Sequence, residues 1–137
     1  MGMSNYLEAQ VFTHIFRTSN YTKPSTIAIA LLTAPASDTS TGANITEVAN
    51  SNNYSRKVFN PGDANWAVSG GQVTNSAVIE FDAASGNWGT ITDIALVDNA
   101  TYGQGNVLLY GTLTTQKAIN NGDILRFPIS GITFNLD

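Results

Sequence analysis

A chain of 137 residues with a formal net charge of −4 and no cysteine is sized for one domain. It has no route to disulfides, thiolate catalysis or cysteine-bound zinc. Only 12% of its residues are charged against 42% hydrophobic, about half the usual charged share.

In place of charge the chain uses Ser, Thr, Asn and Gly, which suits turn-rich β structure or a surface that packs on copies of itself. The six basic residues are scattered and only Arg56 and Lys57 are adjacent. Nucleic acid needs a basic face to displace counterions, so no nucleic-acid partner is expected. No run approaches the roughly 18 to 20 apolar residues of a membrane helix, and the N-terminus lacks the basic and apolar regions of a signal peptide.

In chain order, the spacing first predicts a helix over about 5–17. Asn5 is its expected cap, with Glu8 three residues on as in a capping box. Leu7, Val11 and Ile15 recur every four residues, and Phe12 and Phe16 widen the apolar face. So wide a face on so short a helix must be covered. The first expectation is docking on the protein's own sandwich; the sharper alternative is that Tyr6, Phe12 or Phe16 docks on a neighbouring subunit.

A loop with Pro24 leads to a strand at Thr26–Leu32, apolar on both faces and therefore central. Residues 33–53, with Pro35 and Gly42, show no period; a loop this long is expected to be a surface arm or an interface loop. Tyr54–Phe59 reads as a strand with Tyr54, Arg56 and Val58 on one face. Asn60-Pro61-Gly62-Asp63 is a turn. Trp66 and Val68 then alternate up to Gly70-Gly71, and Val73–Phe81 follows as a strand with Val73, Ala77, Ile79 and Phe81 in register.

Residues 82–87 form a turn before Trp88, and the run Ile94-Ala95-Leu96-Val97 marks the central strand of the fold. Its expected neighbours are Val78–Phe81 and Val107–Leu113. Between them lies a Gly-containing loop around Tyr102. Asn120-Asn121-Gly122-Asp123 is a turn before Ile124–Phe127, Pro128 marks an edge or bend, and Ile132, Phe134 and Leu136 alternate as a paired last strand. One helix, about eight short strands and no internal repeat predict an all-β, mainly antiparallel fold. The expectation is a jelly-roll-like β-sandwich with one N-terminal amphipathic helix, a single domain over 1–137 with the sandwich at about 26–137.

Chemistry is sparse. The one histidine, His14, lies inside the helix, and no nucleophile elbow accompanies it. Glu80 with Asp82, or Asp93 with Asp98, are the carboxylate pairs that glycoside hydrolysis would need, but strand-end solvation accounts for all four. Asp63, Asp98 and Asp123 sit in turns that could offer oxygen to calcium without any EF-hand spacing. Tyr102-Gly-Gln-Gly-Asn106 lacks the third glycine and following helix of a phosphate loop. No catalytic residue, cofactor or metal is assigned. Among the aromatics, Trp88 is expected in the core. Trp66 and Tyr102 are candidates for an interface or a sugar platform.

The order of features resembles the short virion structural proteins of tailed bacteriophages, often labelled tail fibre or structural protein. The residues that carry the resemblance are Ser4-Asn-Tyr-Leu-Glu8, Tyr21-Thr-Lys-Pro24-Ser-Thr-Ile27, Ala30-Leu-Leu-Thr-Ala-Pro35 and Glu47-Val48 with Tyr54-Ser-Arg56. To these add Trp88-Gly-Thr-Ile-Thr-Asp-Ile-Ala-Leu-Val-Asp98, Leu109-Tyr-Gly-Thr-Leu-Thr114 and Asn121-Gly-Asp-Ile-Leu-Arg-Phe127. The resemblance implies a non-enzymatic virion protein, made in the host cytoplasm and assembled onto the particle. Within that class the expectation is a capsid-decorating or cement protein, with a tail-fibre or tail-tip module binding a receptor or glycan as the alternative. Expected partners are copies of itself, as a homotrimer, and other virion proteins such as the major capsid protein. Expected contact residues are Tyr6, Phe12, Phe16, Trp66 and Tyr102.

Overall fold

In the computed structural model, which describes residues 2–136, β1 (Gly2–Met3) leads into the helix α1 (Asn5–Phe16), and β2 (Ala28–Leu32) and β3 (Lys57–Val58) follow. The hairpin β4 (Trp66–Ser69) and β5 (Gln72–Asn75) turns at Gly70-Gly71. After it come β6 (Ile79–Glu80), β7 (Gly89–Val97), β8 (Val107–Ile119), β9 (Arg126–Phe127) and β10 (Thr133–Asn135). Every pairing is antiparallel. A five-stranded sheet runs β1-β8-β7-β2-β3, a three-stranded sheet runs β10-β5-β4, and β6 pairs with β9. The expected antiparallel all-β sandwich is the fold that forms.

β7 is central, as its apolar run predicts, and β8 is one of its expected neighbours. The other is β2, registered from Ala28↔Val97 to Leu32↔Asp93. Val78–Phe81 is not beside it: β6 pairs instead with β9, Ile79 opposite Phe127. β2 and the Ile94–Val97 part of β7 are apolar along both faces, and alternation sends the two sets of side chains to two cores. Ile29, Leu31, Ile94 and Leu96 face the main core, where Ile79, Phe81, Phe127, Ile132 and Phe134 meet them. Ala30, Leu32, Ala95 and Val97 face a smaller second core with Val107. Each large side chain fully buried here contributes about 1.5–3 kcal/mol of transfer free energy.

The β7–β8 ladder is interrupted. Between the pairs Ile91↔Lys117 and Asp93↔Thr112, β7 has only Thr92 while β8 has residues 113–116. This extra length bends β8 and lets it run on to Ile119, well past the expected end at Leu113.

Residues 33–53 are not a free arm. Ala36 and Ile45 lie over the second core, and Val48 is buried in the main one. The segment also completes the outer side of β2, because β3 pairs only with Ala28 and Ile29. Val48 N–H donates to Leu31 C=O at 3.0 Å, Thr33 N–H to Thr46 C=O at 3.0 Å, and Leu31 N–H to the Tyr54 hydroxyl at 3.0 Å. An apolar sheet face and an unpaired strand edge both need covering, and one loop covers both.

The predicted strand at Tyr54–Phe59 shrinks to β3. Tyr54, Arg56 and Phe59 point inward while Val58 is exposed, so the expected alternation fails between Arg56 and Phe59. The predicted strand Val73–Phe81 splits into β5 and β6 at Asn75. That buried side chain donates to the Ala77 and Pro128 carbonyls (2.9 and 2.8 Å) and accepts from Ile132 N–H (2.9 Å). It ties the hairpin to the turn before β10.

Candidate interface surface

The first turn of α1 fixes how the helix sits. Its cap is Ser4, one residue earlier than expected: the Ser4 hydroxyl accepts from Leu7 N–H at 3.2 Å and itself donates to Val107 C=O. Ser4 N–H donates to Leu108 C=O (3.0 Å) and Asn5 N–H to Asp38 C=O (2.8 Å). Anchored this way, the helix turns Tyr6, Leu7, Gln10 and Thr13 toward the protein. Leu7 reaches the main core. At about 100° per residue, the opposite side carries Glu8, Val11, Phe12, Ile15 and Phe16.

The apolar stripe therefore faces outward. Phe12, Ile15 and Phe16 are 63%, 62% and 72% exposed, and no residue of the helix is buried. The two phenyl rings lie 6.2 Å apart, tilted by 39°. Docking of this face on the protein's own sandwich is thus overturned. The cause is the pair of carbonyls on β8 that hold Ser4, since they leave the helix no freedom to roll. Beside the stripe, Leu136 is also exposed and shares an open depression with Glu8, Val11 and Phe12.

Next to Leu7 on the inner side is an apolar cleft of about 360 Å3. Its walls include Pro24, Pro61, Trp66 and the strongly exposed Val68, its floor Leu108 and Leu109, and Lys23 and Asp63 also line it. Trp66 is half-buried, its indole N–H donating to Phe59 C=O (3.1 Å) and its ring meeting Phe59 edge-on at 5.1 Å. With that N–H already used, the exposed ring offers an apolar wall. Tyr6 lines an adjoining depression with Tyr21, Lys23 and Pro24.

Tyr102 belongs to a different cluster. It stands edge-on to Tyr54 at 6.3 Å, and Tyr54 in turn meets Trp88 at 5.4 Å and Phe81 at 6.5 Å. Trp88 is core, as expected, with its N–H donating to Asn52 C=O at 2.9 Å.

Sequence reasoning missed the polar knot beneath this cluster. Arg56 is buried and pairs with Glu47, Nη2 to Oε1 at 2.9 Å and Nε to Oε2 at 3.0 Å. Its Nη1 donates to the carbonyls of Asn99, Thr101 and Gln104 (3.0, 2.8 and 2.8 Å), and Nη2 to Gly42 C=O (3.1 Å). The Tyr54 hydroxyl donates to Glu47 Oε2 at 2.6 Å. Burial, followed by the Glu47 charge and hydrogen bond, pushes the Tyr54 phenol far above the ordinary range. The available signal was an arginine between inward-facing aromatics in a charge-poor chain.

The carboxylates serve structure. Asp98 accepts from Asn106 N–H (2.6 Å) and Nδ2 (3.0 Å), closing the loop that Arg56 holds. Asp123 accepts from Asn120 N–H at 2.8 Å within its turn. Asp93 is buried and accepts from the Thr112 hydroxyl at 2.8 Å. Glu80 is exposed on β6 opposite Arg126. His14 Nδ1 accepts from Tyr21 N–H at 3.1 Å and so pins the segment after α1. Among the described residues, no three acids or histidines gather as metal ligands, and no helix is long and apolar enough to cross a membrane.

The family model described as Podophage GP4 fiber I protein gp80 matches residues 2–135. No curated protein matches the chain. With nearly every residue inside that match, the chain belongs to the Podophage GP4 fiber I protein gp80 family, a family of short-tailed-phage virion structural proteins.

Proposed function

We propose that the protein is a non-catalytic fibre-type component of the phage particle, acting through contacts between copies of itself, as a homotrimer, and with other virion proteins. The family match over residues 2–135, whose description names a fibre, carries this reading. The outward apolar stripe of α1 supports the part that concerns contacts, because a chain that works alone gains nothing by exposing two phenylalanines. The acids at 80, 93, 98 and 123 support a structural role, each being engaged in local bonds or solvated on a strand.

The capsid-decorating or cement role expected from composition takes second place, since the family description speaks for a fibre. Copy number per particle separates the two. Purified virions resolved on a stained gel should show a few to a few dozen copies, and labelled antibody should mark the tail. Hundreds of copies spread over the head would overturn the fibre assignment in favour of decoration. A receptor-binding version predicts specific signals on a glycan array that disappear in Trp66→Ala.

A further inference from the structure

We infer that Asn121 is a deamidation site that the fold holds shut, opened only when the turn at 120–123 parts from residues 82–87. Asn121-Gly122 is the one Asn-Gly pair in the chain. Glycine has no side chain to shield or stiffen the backbone, so the amide nitrogen after the asparagine is easy to reach. In the reaction the Gly122 nitrogen attacks Asn121 Cγ. An N–C bond forms, the Cγ–Nδ2 bond breaks, ammonia leaves and a succinimide remains. Water then opens that ring to aspartate or isoaspartate. Water and hydroxide are the only co-reactants, and Asn121 and Gly122 are both exposed to them.

Backbone geometry, not burial, is what protects the pair. Gly122 N–H donates to Ala84 C=O at 2.7 Å, and Ala84 N–H donates back to Asp123 C=O at 2.9 Å. These two bonds bridge the turn to the 82–87 segment, and Ala84 itself is buried. Asp123 N–H donates to Asn120 C=O at 3.0 Å, and Gly122 takes a φ of +90° while Asn121 stays at negative φ. Residues 120–123 are therefore a type II turn. Ring closure needs a Gly122 nitrogen without its proton, and a rotation about Asn121 ψ that carries this nitrogen onto Cγ. The bond to Ala84 stabilises the protonated nitrogen, and the turn fixes ψ. Asn120 N–H to Asp123 Oδ2 (2.8 Å) and Asn121 N–H to Asn87 Oδ1 (3.3 Å) hold the turn further. Reaction is confined to the fraction of molecules in which the bridge is open.

A particle outside its host cannot replace a damaged subunit. Deamidation would add a carboxylate to a chain already at −4 and, as isoaspartate, an extra carbon to the backbone of the turn.

The test follows the purified full chain in mildly alkaline buffer, folded and, in parallel, unfolded in urea, by peptide mass mapping. Trypsin releases Asn121 in the fragment Ala118–Arg126, where conversion reads as a gain of one mass unit. The folded chain is expected to convert about 10- to 100-fold more slowly, as two bridging hydrogen bonds must open first. Asn121→Ser should remove the product, and its persistence would overturn the assignment to this residue. Hydrogen exchange of the Gly122 amide, read by nuclear magnetic resonance, should be slowed by a similar factor. Equal conversion in the folded and unfolded chain overturns the proposal. So does slow conversion with a Gly122 amide that exchanges as freely folded as unfolded, since the bridge is then not the cause.

Discussion

Replacing Arg56 with methionine keeps an unbranched chain but removes the charge and all five N–H donors. The Glu47 side chain, only 3% exposed, is then left with the Tyr54 hydroxyl alone. Removing one partner of a buried pair costs about 3–5 kcal/mol. Four carbonyls, those of Gly42, Asn99, Thr101 and Gln104, also lose a donor, at about 1–3 kcal/mol each where water does not replace it. Thr101 and Gln104 are exposed and Asn99 partly so, which lets water replace the donor at their carbonyls; only the buried Gly42 C=O adds a cost, of about 1 kcal/mol. The expected loss is about 4–6 kcal/mol, a large fraction of the ~5–15 kcal/mol that holds a domain. Urea unfolding followed by tryptophan fluorescence is the assay, since Trp88 sits edge-on to Tyr54. With a slope near 2 kcal/mol/M, the midpoint should fall by about 2–3 M. Adding Glu47→Gln to Arg56→Met should recover part of the loss, because an amide needs no counter-charge. A loss under about 1 kcal/mol, or strict additivity in the double mutant, would refute the reasoning.

Two further outcomes follow from the same structure. Gly42→Ala places a methyl 2.0 Å from Gln104 C=O and should destabilise by several kcal/mol, about 3 or more. Gly62→Ala, with nothing within 4 Å of the added carbon, should be neutral or stabilise by up to about 1 kcal/mol; equal melting temperatures for the two variants would contradict this. In alkali, the hydrogen bond to Asp38 pushes the Tyr110 phenol up to about 12, and burial raises Tyr21, Tyr54 and Tyr102 as well. The folded state therefore favours neutral phenols. Their contribution is fully present below the unfolded value near 10 and is lost as pH rises through 12 and beyond. Melting temperature should fall steeply above pH 10, and Tyr110→Phe should flatten the fall between 10 and 12; parallel curves would count against the Asp38 bond.

Local pattern made much of this fold readable. The unbroken apolar runs at Ala28–Leu32 and Ile94–Val97 announced two-sided burial, and both strands are buried throughout those residues. The Gly70-Gly71 hairpin and the Asn120–Asp123 turn follow from dipeptide chemistry that acts within four residues. What pairs with β7 did not follow, because apolar strands are interchangeable until tertiary packing chooses among them. The same limit applies to α1. Periodicity defines a stripe but not the direction it faces, and that direction depends on Ser4 meeting carbonyls about a hundred residues away. The exposure of Phe12 and Phe16 thus followed only from the sharper of two readings.

The five-stranded sheet ends on β1 and β3, each of two residues. On the β3 side that leaves an incoming strand almost nothing to pair with, since the rest of the β2 margin is already occupied by residues 46–48 and the Tyr54 hydroxyl. The β1 side differs: β1 covers only Leu109 and Tyr110, so the margin of β8 from Gly111 to Ala118 carries no partner strand among the described residues. One edge of the large sheet is thus closed to strand addition and the other open, which gives any growth of the sheet a single direction.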